Sequence, residues 1–268
     1  MRRDMKKRIN NLLGLNSLHM DIAYKKQIVA FIDVLGFSNI VYSGNDEALK
    51  DYFSYVIEEF AGDRKKYKFE YILISDAIVI YTDCNKSNLQ QLCIAIGKLQ
   101  MKLIMRGIVM RGGISFGNLF IDGDKNVIVG SALINAYKLE QEAGYPRVVL
   151  DRGFIKEFYD SAKDMLNKNN NRLLIDPPHP YEADLPYIYF TRKLALVMQP
   201  KKLQIVVDLM AKNLSENRNA KKYLWLKSHI EMAINQQLEY LKRKATPSRR
   251  DPTRIRHLEK FKAGIEVL

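Results

Sequence analysis

The chain has 268 residues, of which 47% are hydrophobic and 27% charged, the composition of an ordinary globular protein rather than a disordered or collagenous one. No uncharged apolar run reaches the roughly 18–20 residues that a membrane-spanning helix needs, and the basic start Met1-Arg-Arg-Asp-Met-Lys-Lys-Arg8 lacks the apolar stretch of a secretory leader. The net charge of +13 is concentrated at the ends: residues 2–8 contribute +4 and residues 241–262 contribute +7, leaving +2 on the body. The Arg249-Arg250 and Arg254-x-Arg256 pairs therefore read either as a solvated or dimer-contacting face or as a nucleic-acid contact, with nucleic acid the less expected partner. The two cysteines, Cys84 and Cys93, stand outside any metal-type cluster and suit a reducing, cytoplasmic setting without a membrane.

A basic arm, residues 1–25, comes first. Ile28 to Leu35 is apolar apart from Asp33, the pattern of a buried strand. From Asp46 to Phe60, Leu49, Phe53, Val56, Ile57 and Phe60 share one helical face. Lys68 to Tyr81 gives two β-rich stretches meeting at Ser75-Asp76, a predicted hairpin. Ser87 is the predicted N-cap of a helix carrying Leu89, Leu92, Cys93, Ile96 and Leu103, with Gly107 ending it. Strands at 108–116 and 127–129, a helix over 131–142 and a strand at 147–150 follow. The order βαββαβ predicts an α+β, ferredoxin-like domain over residues 26–192.

Past Phe154 the pattern loosens. Asn167 to Asn171 is turn-prone, Asp176-Pro-Pro-His-Pro180 is rigid and irregular, and Pro186 to Phe190 offers one more strand. Helices are expected over 201–214 and 220–242, then a linker at Thr246–Pro252 and a short basic helix. Residues 193–268 thus read as a helical C-terminal extension.

An aspartate inside an apolar strand is costly unless it is paired, hydrogen-bonded or metal-bound. Asp33 is one such residue, and Asp76, at the turn of an apolar hairpin, is another. In a ferredoxin-like sheet the end of the first strand and the central hairpin turn are neighbours, so the two carboxylates are expected to converge. Two hard oxygen ligands side by side suit Mg²⁺ or Mn²⁺, with phosphate oxygens completing the shell; a pair of turn or capping aspartates is the plainer reading. Gly36-Phe37-Ser38 follows directly, freeing backbone N–H groups and a hydroxyl for a phosphate, or forming a simple strand-to-helix turn. The four histidines show no metal spacing, and Trp225 with Leu224, Leu226 and Ile230 reads as helix packing.

These residues resemble the class III nucleotide cyclases. The family's first-strand motif, Phe-x-Asp-Ile-x-Gly-Phe-Thr, is matched by Phe31-Ile-Asp33-Val34-Leu-Gly36-Phe37-Ser38, and its hairpin Ile-Gly-Asp by Ile74-Ser75-Asp76. Its Arg-x-Gly-Ile-x-x-Gly strand is matched by Arg111-Gly-Gly113-Ile114-Ser-Phe-Gly117, and the helix that follows is approximated by residues 130–140. The resemblance implies that Asp33, Asp76 and the Val34 carbonyl bind two divalent ions, Mn²⁺ or Mg²⁺. The ribose 3′-hydroxyl of a nucleoside triphosphate would then displace pyrophosphate in a head-to-tail homodimer with its active sites at the interface. It further implies Gly36, Phe37 and Ser38 as substrate-binding residues.

This sequence departs from the family pattern in two places. The family's transition-state Asn and Arg align with Ile134 and Lys138, with Asn135 one place later. That leaves Asn135, Lys138 and Arg111 as the implied catalytic groups, although lysine lacks the arginine fork and Arg111 reads equally as a strand-end surface residue. The purine-reading Lys and Asp fall near Glu70 or Tyr71 and Val127. Tyr71 is then either a substrate contact that narrows the base pocket or a cross-strand packing residue. This pattern is similar to the bacterial pyrimidine cyclases of the Pycsar anti-phage systems, which make cUMP or cCMP from UTP or CTP. A purine cyclase and an inactive nucleotide- or partner-binding module are the alternatives.

Overall fold

The computed structural model describes residues 21–44, 46–158, 164–165, 173–175, 185–215 and 220–268. Most of the basic arm, the Asn167–Asn171 turn and the Asp176–Pro180 segment lie outside the described residues.

The first strand, β1 (Lys25–Leu35), is central. Its side chains alternate. Ile28, Ala30, Ile32 and Val34 enter the main core, while Val29 and Phe31 face a second, smaller cluster with Val79, Leu119, Ala132 and Ala136. Both faces are covered, which is why the run is almost continuously apolar. After it come α1 (Phe37–Tyr42), α2 (Asp46–Tyr67), β2 (Glu70–Ile74), β3 (Ala77–Asp83), α3 (Lys86–Ile104) and β4 (Val109–Asp122). The sheet order β2-β3-β1-β4, with antiparallel neighbours throughout, is the ferredoxin-like arrangement of two interleaved βαβ units. The sheet continues through β6 (Val148–Leu150), parallel to β4, to β8 (Tyr187–Ile188) and β7 (Leu174–Ile175), while β5 (Val127–Val129) folds back on β4.

Asn85, not Ser87, caps α3: its side chain accepts from the Asn88 N–H at 2.9 Å. Ser87 lies inside the first turn and accepts from Gln91 Nε2 instead. On the other face of the sheet, α4 (Ser131–Glu142) packs over β4 and β1. Gly113 permits this approach, because a Cβ there would stand 2.4 Å from the Ala136 carbonyl oxygen.

The expected boundary between domain and extension, residues 192 and 193, falls inside α6 (Phe190–Leu194), which follows α5 (Arg152–Glu157). The extension comprises α7 (Pro200–Ser215), α8 (Ala220–Arg243) and α9 (Asp251–Glu266), the last a 16-residue helix rather than a short one. Its Leu226, Ile230, Leu258 and Ile265 belong to the same continuous core as Ile96 and Leu103. Trp225, Leu226 and Ile230 pack as expected, with Trp225 stacked on His229 at 3.8 Å and on Tyr145 at 5.4 Å, whereas Leu224 is exposed. His229 Nδ1 faces the Trp225 carbonyl at 2.8 Å and so carries the proton, leaving Nε2 to accept from the Tyr187 hydroxyl at 2.7 Å.

Candidate active site

β1 ends at Leu35, and Gly36 turns the chain with φ of +80°, a conformation glycine takes without strain. Two residues before that end, Asp33 stands opposite Arg111 in the β1–β4 register, with its Oδ2 3.7 Å from Arg111 Nη2. Arg111 also reaches Glu140 of α4 through its Nε, and Glu140 is only 1% exposed. Asp76 arrives from the other side, at the turn joining β2 to β3, where the Ile32–Ile78 register of β1 and β3 brings it beside Asp33. The turn begins with Ser75 at φ of +58°, a left-handed conformation usually left to glycine. Tyr52 of α2 pins this turn by donating its hydroxyl to the Asp76 main-chain oxygen at 3.2 Å. Phe37 packs edge-on against Tyr52 with ring centroids 5.5 Å apart. Its side chain is therefore part of the core, while Gly36 and Ser38 are exposed.

The electrostatics of this corner are unbalanced. Burial first, then Asp76 and Glu140, push the Asp33 carboxyl up, Arg111 offsets only part of this, and the net result is about 6. Burial and both aspartates likewise raise the Tyr52 hydroxyl far above its ordinary range, so it remains a protonated donor. A hard divalent cation is the group that relieves such crowding of carboxylates, so the donor set fits one. Among the described residues no three His, Cys, Asp or Glu side chains converge as a metal site. Asp33 and Asp76 thus form a two-carboxylate donor set, with Val34 next to Asp33 in the chain.

The other sequence-derived residues sit elsewhere. Asn135 and Lys138 are exposed on the outer side of α4, beside Ile134 and Tyr137, which are 53% and 49% exposed. Their side chains face solvent, not the sheet surface that carries Asp33. Tyr71 packs against Phe60 of α2, with centroids 4.7 Å apart, toward the helical layer. Two residues of this corner, Glu140 and Tyr52, escape the sequence reading. Glu140 had a signal: it shares the buried face of α4 with Ala132, Ala136 and Leu139, the same anomaly of a carboxylate on an apolar face that marks Asp33. Tyr52 had none, since a tyrosine on an apolar helix face reads as packing.

No family model and no curated protein matches the sequence. Among solved structures, the chain is similar to the guanylyl cyclase Cya2, at 16% identity over 63% of this chain and 93% of that one, with a TM-score of 0.46. It is similar to the monomeric guanylyl cyclase domain of the RhoGC fusion protein from the aquatic fungus Blastocladiella emersonii, at 14% identity over 63% and 98%, TM-score 0.48. It is also similar to the adenylyl cyclase CyaB from P. aeruginosa, at 15% identity over 63% and 96%, TM-score 0.42.

Proposed function

We propose that the protein is a class III-type nucleotide cyclase that converts UTP, or CTP, to the 3′,5′-cyclic monophosphate and pyrophosphate. The observation that carries this reading is the meeting of the Asp33 and Asp76 carboxylates at the end of a split βαβ sheet, with Arg111 as incomplete compensation. Asp33, Asp76 and the Val34 carbonyl would hold two Mg²⁺ or Mn²⁺ ions, which would supply charge neutralisation and alignment for in-line displacement at the α-phosphorus. The 3′-oxygen bonds to that phosphorus as the bond to pyrophosphate breaks, and the 3′-hydroxyl proton passes to solvent water. Tyr52 fixes the main chain of Asp76, and Glu140 fixes the Arg111 guanidinium near the developing charge. Gly36 and Ser38 offer backbone and hydroxyl donors to the triphosphate.

Asn135 and Lys138 serve the site of a second copy in a homodimer. Their exposure, together with that of Ile134, Tyr137 and Val129, supports an unpaired apolar face suited to such a partner. The pyrimidine preference is supported by what stands where purine-reading groups would be. Glu70 is paired with Arg64, Tyr71 packs on Phe60, and Val127 has no side-chain acceptor. The two free cysteines accord with a cytoplasmic enzyme, and no helix among the described residues is long and apolar enough to cross a membrane. Its role would be that of a second-messenger synthase in anti-phage defence. One observation favours a second reading, an inactive nucleotide-binding module: the exposed apolar Ile134 occupies the position of the family's transition-state Asn.

Incubating the protein with each of the four nucleoside triphosphates and Mn²⁺, followed by mass identification of products, tests the proposal. The expected result is a cyclic pyrimidine monophosphate. Cyclic AMP or GMP alone assigns a purine cyclase, and tight nucleotide binding without turnover assigns the inactive module.

A further inference from the structure

The basic C-terminal segment, which the carboxylate corner does not use, borders a second cavity. α7 and α9 lie side by side, and between them is a space of about 300 Å³, at the small end of the range of roughly 300–1,000 Å³ for small-molecule pockets. Its apolar wall is Pro200, Leu203 and Val207 from α7 and Phe261 from α9, with Leu203 and Phe261 both buried. Gly264 lies against Val207 here, a Cβ in its place meeting Val207 Cγ2 at an ordinary 3.4 Å.

The polar end of the cavity carries donors and positive charge. His257 lines it, and the buried Nδ1 of His257 has no hydrogen-bond partner, a condition that is unfavourable unless a ligand completes it. Lys260 lines it too and is exposed. Several other basic residues of this segment are paired: Lys242 with Glu259, Lys244 and Arg254 with Asp251, and Lys262 with Glu266. Lys260 has no such partner among the described residues. No carboxylate lines the cavity, and at its rim Gln204 Nε2 donates to Asp208 Oδ1 at 2.9 Å.

We propose that this cavity is a binding site for a small amphipathic carboxylate, its hydrocarbon part against Leu203, Val207 and Phe261 and its carboxylate accepting from His257 Nδ1 and Lys260 Nζ. An apolar wall ending in one orphaned buried ring nitrogen, able to donate when protonated, and one ammonium without an ion pair among the described residues is matched by a single anionic head on a short hydrophobic body. An alcohol satisfies the histidine but wastes the charge, and an amine is repelled. The site is independent of the cyclase reading, because none of its residues belongs to the Asp33 corner.

Calorimetric titration of the full chain with octanoate, 1-octanol and octylamine tests this. Octanoate is expected to bind, 1-octanol to bind at least about tenfold more weakly, and octylamine not to bind. Lys260→Ala and Val207→Trp, which leave the buried floor intact, are each expected to weaken octanoate binding by about tenfold or more with an unchanged circular dichroism spectrum. Equal binding of all three probes, octanoate binding that survives both substitutions, or no octanoate binding by the folded protein overturns the proposal.

Discussion

Asp33 and Asp251 are both drawn out of bulk water, and their surroundings treat them in opposite ways. At the start of α9, Asp251 is 2% exposed, accepts from the Ser248 N–H at 2.6 Å and lies 3.1 Å from the Lys244 ammonium. Its carboxyl is accordingly held down at about 2, by the Ser248 hydrogen bonds first and by Lys244 after them. At the hairpin end of the sheet, Asp33 meets Asp76 and Glu140 with one arginine between three acids, and its carboxyl is pushed up to about 6. The first carboxylate is compensated by the fold; the second is left short of positive charge, as groups poised for a ligand are. Local propensity does not distinguish the two residues. What does is the sign of their neighbours.

The largest expected effect is on turnover. Asp33→Asn and Asp76→Asn each reduce product formation by about 10³-fold or more, the loss of several kcal/mol of charge stabilisation. Neither lowers the metal-free melting temperature, because each substitution relieves like-charge crowding. Asp251→Asn does the reverse: it lowers the melting temperature, since Lys244 loses its partner and the Ser248 N–H its charged acceptor, and leaves activity per folded molecule unchanged. If Asp33→Asn destabilises the metal-free protein as Asp251→Asn does, the contrast fails.

Glu140→Gln is intermediate. It removes the buried partner of Arg111 and is expected to cost about 1–3 kcal/mol in urea unfolding, with some loss of activity as the guanidinium loosens. The pH dependence separates the two aspartates again. Asp251 titrates below its ordinary value of 3.8, so its stabilisation is present above that value and is lost as pH falls toward about 2. Asp33 titrates above the same ordinary value, so its contribution in metal-free protein is present below it and is lost as pH rises through about 6. Thermal scans of each Asn variant against the parent read these opposite slopes. The smallest effect is at Ser75→Gly: relief of the positive φ outweighs the added freedom of the unfolded chain, for a net gain of about 0.5 kcal/mol.

Asp33 was legible because a carboxylate interrupts an apolar strand, and Asp76 because turn chemistry divides two β-rich runs. Their meeting followed from the βαββαβ order, whose strand arrangement the structure shows. The partners of these residues were not legible. Glu140 and Tyr52 reach the corner from α4 and α2 through tertiary packing that no local pattern encodes. The cap of α3 was displaced by two residues because Asn85 and Ser87 are both good caps and the end of β3 decides between them. β4 runs on to Asp122 because it pairs with β1 down to Lys25 and then with β5, long-range contacts that override its own glycines. The amphipathic helices of the extension announced a buried face but not its partner, which proved to be the core of the sheet domain.

Mn²⁺ titration followed by electron paramagnetic resonance, in the presence of a non-cyclisable UTP analogue, tests the central claim that the Asp33–Asp76 corner is a metal–triphosphate site. The account predicts that the folded parent protein binds Mn²⁺ with the analogue and that Asp33→Asn and Asp76→Asn each abolish this binding while Asp251→Asn retains it. Undiminished Mn²⁺ binding in both Asp33→Asn and Asp76→Asn would contradict it.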